Sequence, residues 1–172
     1  DVTDEQSVLD CVAKAEAALG ALEVVVSGAG DLAVGRSFEQ PVEQFTDQIN
    51  IHLNGAYRLY RAVIPGMIER ARGDFVFIGS DVTQRPRTFS SAYVAAKSGI
   101  DGLVTTVQME LEGTGVRAGL VRPGQTLTGM GMDLDQKTTE DMLNDWIKFG
   151  IARHGNFLSP EHIAQAIAGM IG

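Results

Sequence analysis

The chain has 172 residues, of which 44% are hydrophobic and 21% charged, a composition typical of one soluble globular domain. Its net charge of −8 argues against a nucleic-acid backbone or an anionic membrane surface as partner. The single cysteine, Cys11, excludes an internal disulfide. No metal-ligand spacing relates Cys11 to His52, His154 and His162, so we expect no metal site. A lone cysteine suits a reducing compartment, so we expect a cytoplasmic protein.

Predicted helices and strands alternate along the chain. Thr3 to Gln6 has the spacing of a capping box and predicts a helix that ends at Gly20. A long helical pattern follows Pro41, and Pro65-Gly66 should kink or end it. The other predicted elements are strands over 22–26, 74–78 and 116–121, a helix over 93–112, and a last helix that starts at 159–161.

The three predicted strands are nearly continuous apolar runs, and helices alternate with them. This pattern predicts an α/β fold, with a doubly wound parallel sheet buried between helix layers. The strands end at Ser27-Gly28, Gly79-Ser80 and Pro123-Gly124. Because parallel strands share one carboxyl edge, we expect a ligand site there, although simple turns would use the same residues.

The segment Gly28-Ala29-Gly30-Asp31-Leu32-Ala33 fits the dinucleotide-binding pattern G-x-G-x-x-G/A. In a chain this rich in glycine and alanine, roughly half a match is expected by chance. The pattern should open a helix at once, whereas residues 31–40 have the composition of a loop. We therefore do not interpret this segment as a phosphate-binding loop.

Tyr93 and Lys97 form a Y-x-x-x-K pair, and Ser80 precedes the tyrosine by the length of one loop. Spacing of i, i+4 places the two side chains on one helix face. An ammonium beside a phenol should lower the pKa of that phenol, so Tyr93 could exchange a proton near neutral pH. Ser80 could then hydrogen-bond the substrate oxygen.

These residues resemble the catalytic serine, tyrosine and lysine of the short-chain dehydrogenase/reductase family, whose domain is Rossmann-like. The segment Ser27 to Gly30 resembles the family's N-N-A-G, Asp1-Val2 its adenine-binding dipeptide, and Pro123 to Thr128 its nicotinamide-binding P-G-x-x-x-T. The resemblance implies NAD or NADP as cofactor, contacted by Asp1, Val2, Ser27, Gly28, Ala29, Gly30, Tyr93, Lys97, Pro123, Gly124, Thr126 and Thr128.

Two positions depart from the family pattern. Gly28 replaces the second asparagine of N-N-A-G, and His52 stands where the family has its fourth catalytic residue, an asparagine. The family uses chiefly the main-chain carbonyl of that residue, at a helix distortion, and a histidine can supply the same group. His52 could equally be a helix histidine with no role.

The resemblance also implies a first strand and a glycine-rich phosphate loop before Asp1, and a final strand after Gly172. We therefore expect residues 1–172 to be one partial NAD(P)-binding domain, an internal part of the family's Rossmann-like domain. Residues 127–157 should form a substrate lid within it. Its apolar residues, which would also suit ordinary core packing, are Met130, Met132, Met142, Leu143, Trp146 and Phe149.

The function implied is hydride transfer between NAD(P) and a small alcohol or carbonyl compound, possessing an apolar or aromatic body. Asp81, Gln125, Met130 and Trp146 are the candidate substrate contacts. We also expect a homodimer or homotetramer that pairs the helices over 42–64 and 92–112. The alternative is a catalytically inactive homologue that binds NAD(P) or forms oligomers, although neither role would require the spacing of Ser80, Tyr93 and Lys97.

Overall fold

A computed structural model of the protein describes residues 1–131, 134–151 and 155–171. Its α-helices are α1 (Glu5–Leu19), α2 (Val42–Ile49), α3 (Gly55–Glu69), α4 (Ser91–Glu110), α5 (Gln136–Lys148) and α6 (Pro160–Ala168). Its strands are β1 (Val24–Ser27), β2 (Gly73–Ile78) and β3 (Val116–Val121). A π-helical segment, Asn50–Asn54, joins α2 to α3, and a short 3-10 turn, Asp81–Thr83, follows β2.

The strands form a parallel sheet in the order β1-β2-β3. Val26 pairs with Val76, and Val76 pairs in turn with Gly119. The predicted α/β fold with a parallel sheet is therefore confirmed. Because all three strands run the same way, the segments that follow them meet at one edge of the sheet.

The core lies between one face of the sheet and helices α1, α3 and α4. Phe75 and Phe77 alternate along β2 and are both fully buried against Tyr60 of α3. The same cluster contains Val12, Ala56, Val63, Ile64, Met67, Ile100, Val104, Val107, Leu111, Val116 and Ala118. Burial of this shared apolar surface holds the three helices on the sheet.

The opposite face of the sheet is covered unevenly by the described elements. Helix α6 packs on β3, and the Cε atom of Met170 occupies the space beside Gly119 that a side chain would need. On β1, Val24 and Val26 are each 40% exposed. Within the described residues, no helix has the length and apolar character needed to span a membrane.

The predicted cap of α1 was wrong, and Pro65-Gly66, predicted to kink or end its helix, does not end it. The N-cap of α1 is Asp4 rather than Thr3: its carboxylate accepts a hydrogen bond from the Ser7 amide at 2.6 Å. Pro65 does not end the helix but lies inside α3, which continues to Glu69. The burial of Ile64 and Met67 on either side of this proline stabilises the last turns of α3 despite the lost backbone hydrogen bond.

Two glycines that precede β3 provide a test of close packing. Gly115 (φ +80°) and Gly113 (φ +75°) both adopt left-handed backbone conformations. A Cβ on Gly115 would overlap the carbonyl group of Ala71, whereas one on Gly113 would meet no atom within 4 Å.

We predict that Gly113→Ala lowers the free energy of unfolding by about 1–2 kcal/mol, the cost of the left-handed backbone. Gly115→Ala should cost about 2 kcal/mol more, because backbone atoms must also move. Urea titration of both variants measures the difference. Equal losses would contradict the close approach of Gly115 to Ala71.

Candidate active site

Ser80, Tyr93 and Lys97 come together at the carboxyl edge of the sheet. Ser80 directly follows Gly79 at the end of β2, and its buried hydroxyl oxygen accepts a hydrogen bond from the Val82 amide at 3.3 Å. Tyr93 and Lys97 lie one turn apart in α4, which packs beside the 3-10 turn that Ser80 caps. The sequence spacing therefore does bring these three residues to one place.

The Lys97 side chain is only 5% exposed. Its Nζ donates a hydrogen bond to the carbonyl of Ile78 at 2.8 Å, which ties α4 to the last residue of β2. The ammonium lies 5.5 Å from the centroid of the Tyr93 ring. Burial lowers the pKa of Lys97 to about 8.

The expected lowering of the Tyr93 pKa was wrong. Burial of the phenol raises its pKa above the usual value, and the nearby charge of Asp81 adds to the rise. The Ser80 hydroxyl and Arg87 act in the opposite direction, but burial dominates. In this structure Tyr93 is therefore a protonated hydrogen-bond donor at neutral pH.

His52 lies in the π-helical segment and points towards Tyr93. The two ring centroids are 5.1 Å apart, with the rings nearly perpendicular, and His52 is 2% exposed. Nε2 lies 2.6 Å from the carbonyl oxygen of Asp31, in the loop after β1. The Asp31 amide also points to Nε2, but at 3.4 Å; because a carbonyl can only accept, the shorter contact places the proton of the neutral ring on Nε2. The predicted helix distortion is thus present, and the side chain also links two elements of the site.

The imidazole of His52 is uncharged at neutral pH because its surroundings oppose protonation. Burial and then the positive charge of Lys97 lower its pKa to about 4, while the Asp31 carbonyl opposes this shift. With the proton on Nε2, Nδ1 is an acceptor, and it has no hydrogen-bond partner among the described residues.

Two contacts that support this arrangement were not predicted from the sequence motifs. A Cβ on Gly30 would lie 2.8 Å from Cε1 of His52, so the glycine provides room for the ring. Arg58 donates to the Val2 carbonyl at 3.0 Å and to Oδ1 of Asn50 at 2.9 Å. It thereby joins the start of the chain to the π-helical segment. No sequence motif marks an arginine that bonds main-chain carbonyls.

The other predicted cofactor residues lie in loops at the same edge or beside α3. The Asp1 carboxylate accepts hydrogen bonds from the amide and hydroxyl of Thr3. Thr126 donates to the Gly124 carbonyl at 3.0 Å, and the Thr128 hydroxyl accepts from the Met130 amide at 3.3 Å. Ser27 ends β1, Gly28 and Ala29 follow it without helical structure, and Pro123 follows β3. The absence of a helix directly after Gly30 agrees with rejecting a phosphate loop there.

A cavity of about 470 Å³ opens beside Asp81. Of the predicted substrate contacts, Asp81 and Gln125 line it. Trp146 instead donates to the Thr88 carbonyl at 3.3 Å, and Met130 lies near Gly30. Met132 is outside the described residues. Within the described ranges, no group of three histidine, cysteine or acidic side chains is placed to hold a metal ion.

Comparison with known proteins identifies the family. The model of the family described as short chain dehydrogenase matches residues 1–139. The chain belongs to this family. It is 33% identical over 169 residues to a protein of Xanthobacter autotrophicus named inactive 2-(S)-hydroxypropyl-CoM dehydrogenase 2, covering 96% of this chain and 72% of that protein.

Other relatives are oxidoreductases by name. The chain is 29% identical to the 3-oxoacyl-[acyl-carrier-protein] reductase FabG of Thermotoga maritima, covering 97% of this chain and 65% of the relative. The crystal structure of an alcohol dehydrogenase from Thermococcus sibiricus, complexed with 5-hydroxy-NADP, superposes with a TM-score of 0.78 at 28% identity. That match covers 99% of this chain and 65% of the other, so the chain spans about two thirds of these proteins.

Gly30→Ala should displace the His52 ring, because the new Cβ would lie too close to Cε1. We expect a loss of about 1–3 kcal/mol in the free energy of unfolding and a shifted His52 ring resonance in NMR spectra. Gly28→Ala is the matched control, because a Cβ there meets no atom within 4 Å. Equal losses of stability and equal His52 ring shifts in the two variants would contradict the close packing of Gly30 on His52.

The pKa of His52 predicts acid sensitivity. Between its ordinary value of 6.5 and about 4, the unfolded chain binds a proton that the folded chain excludes. The free energy of unfolding should therefore fall as pH decreases through this window, by about 3 kcal/mol in total. Urea unfolding at several pH values should show a shallower fall in His52→Asn, since the carboxylates common to both proteins titrate alike. Equal slopes would contradict the assignment.

Proposed function

We propose that the protein is an NAD(P)-dependent oxidoreductase that interconverts an alcohol and a ketone or aldehyde. The convergence of Ser80, Tyr93 and Lys97 at the carboxyl edge of a parallel sheet carries this proposal. The relatives named as dehydrogenases and reductases support it. One relative is named inactive, so the alternative is a homologue that binds nucleotide without turnover. A scaffold would have no need to bury a lysine beside a tyrosine.

The residues present fit a nicotinamide nucleotide at this edge. The space beside Gly28 is open, with no atom within 4 Å of a Cβ placed there. Lys97 uses one of its three N–H donors on Ile78, which leaves two for the hydroxyl groups of a ribose. Asp1, Val2, Ser27, Ala29 and Gly30 would lie towards the adenine side, and Pro123, Gly124, Thr126 and Thr128 towards the nicotinamide. When bound, the nicotinamide ring would supply or accept the hydride.

In this proposal, Tyr93 is the general acid in carbonyl reduction. Its phenol is protonated at neutral pH and lies beside the Ser80 hydroxyl, so the two O–H groups can hold one substrate oxygen. As negative charge develops on that oxygen, Tyr93 transfers its proton. Lys97 stabilises the phenolate that remains, and the main-chain carbonyl of His52 helps position the groups around the lysine.

Two further features of the whole protein belong to this proposal. Residues 127–157, which include α5, would form the substrate lid. Helices α2, α3 and α4 would pair with their copies in a homodimer or homotetramer, where small residues such as Ala95 and Gly102 of α4 permit close approach.

In the complete enzyme, Tyr93→Phe should lose the chemical step but preserve nucleotide binding. Removing a general acid lowers the rate by about 10²–10⁴-fold. Tyr57→Phe is the matched control, because Tyr57 is 48% exposed on α3. The measurements are NAD(P)H consumption with a panel of carbonyl compounds and nucleotide affinity by calorimetry. Nucleotide binding without turnover in the unmodified protein would favour the inactive alternative, and normal turnover in Tyr93→Phe would refute the role of Tyr93.

A further inference from the structure

The cavity beside Asp81 has an unbalanced positive charge. Its charged lining residues are Asp81, Arg85 and Arg87. Arg87 is paired with Asp81, with its Nη2 2.9 and 2.7 Å from the two carboxylate oxygens. In the described part of the chain, the guanidinium of Arg85 has no hydrogen-bonding or ion-pair partner. Among the described lining residues, one formal positive charge is therefore left over.

Neighbouring contacts fix the Arg87–Asp81 pair in place. The Arg87 guanidinium lies 5.4 Å from the ring centroid of Trp146, and its side chain is 15% exposed. Both carboxylate oxygens of Asp81 already accept from Arg87, so the charge of Asp81 is matched without Arg85. The charge of Arg85 is instead available to a ligand.

Four apolar side chains also line the cavity. Phe149, Ile151, Phe157 and Leu158 line it together with the polar side chains of Gln125 and Asn156. The volume of about 470 Å³ lies in the range of small-molecule sites. The cavity thus combines room for a small apolar body with a cationic rim.

We infer that this cavity binds a small substrate with an apolar body and an anionic end group, and that Arg85 holds that anion. The inference rests on the proposed function, and the link to it is Asp81: this residue lines the cavity, and its Oδ1 lies 3.4 Å from the Ser80 hydroxyl oxygen. A planar guanidinium matches the paired oxygens of a carboxylate, phosphonate or sulfonate. A cationic end group would be repelled, and a neutral one would leave Arg85 unmatched. The whole chain has a net charge of −8, so the positive charge of this cavity lining is opposite in sign to that of the chain.

Calorimetric titration tests the inference without requiring turnover. The probes, used with the complete enzyme at saturating NAD⁺ or NADP⁺, are 4-oxopentanoate, compared with its methyl ester, and 2-oxopropylphosphonate, compared with its uncharged dimethyl ester. We expect each anion to bind about tenfold more tightly than its ester. The carboxylate and phosphonate arms show which anionic group is preferred.

Arginine variants show which side chain causes the preference for the anion. Arg85→Met should abolish the preference for the anion, and Arg85→Lys should retain most of it. Arg72→Met is the matched control, because Arg72 is an exposed arginine paired with Glu23, outside the cavity lining. Equal affinity for acid and ester, no detectable binding of either anion at millimolar concentration, or a preference that persists in Arg85→Met would overturn the inference. An anion preference without NAD(P)H consumption would refute the proposed function and leave the binding site standing.

Discussion

A single buried ammonium group fixes the geometry of the candidate site. Lys97 reaches from α4 to the last carbonyl of β2, and this bond holds the tyrosine one turn earlier beside the serine that follows the strand. A buried amine without an acceptor would be strongly destabilised, so the hydrogen bond and the placement of α4 support one another. The fold places the end of β2 at the site, and the Lys97 hydrogen bond holds α4 against it.

The Lys97 ammonium also opposes protonation of His52, whose ring packs against that of Tyr93. Burial lowers the pKa of His52, and the positive charge of Lys97 lowers it further. The imidazole is therefore neutral and able to donate from Nε2 to Asp31. An asparagine could make a similar bond, but it could not provide the ring contact with Tyr93. Histidine at this position thus adds packing to a polar link between β1 and the π-helical segment.

The sequence predicted the elements whose signals are local. The strands were visible because 74–78 and 116–121 are apolar runs, and the spacing of Tyr93 and Lys97 fixed their common helix face. The pKa of Tyr93 was predicted in the wrong direction because burial depends on tertiary packing, which outweighed the neighbouring lysine. The cap at Asp4 was missed by one residue because Thr3 and Asp4 are both competent N-caps. The pairing of Arg87 with Asp81 was not predicted, since no spacing rule identifies it.

The proposed catalytic residues and the proposed substrate cavity are attached to different kinds of structure. Ser80, Tyr93 and Lys97 are attached to a strand end and a long helix that share the apolar core. The cavity is lined by loop residues after β2 and β3 and by residues around the end of α5. Loops accept substitutions more readily than core elements do, because fewer buried contacts depend on them. If the proposed function holds, the loss of Arg85 would alter which molecule is bound while Ser80, Tyr93 and Lys97 stay in place.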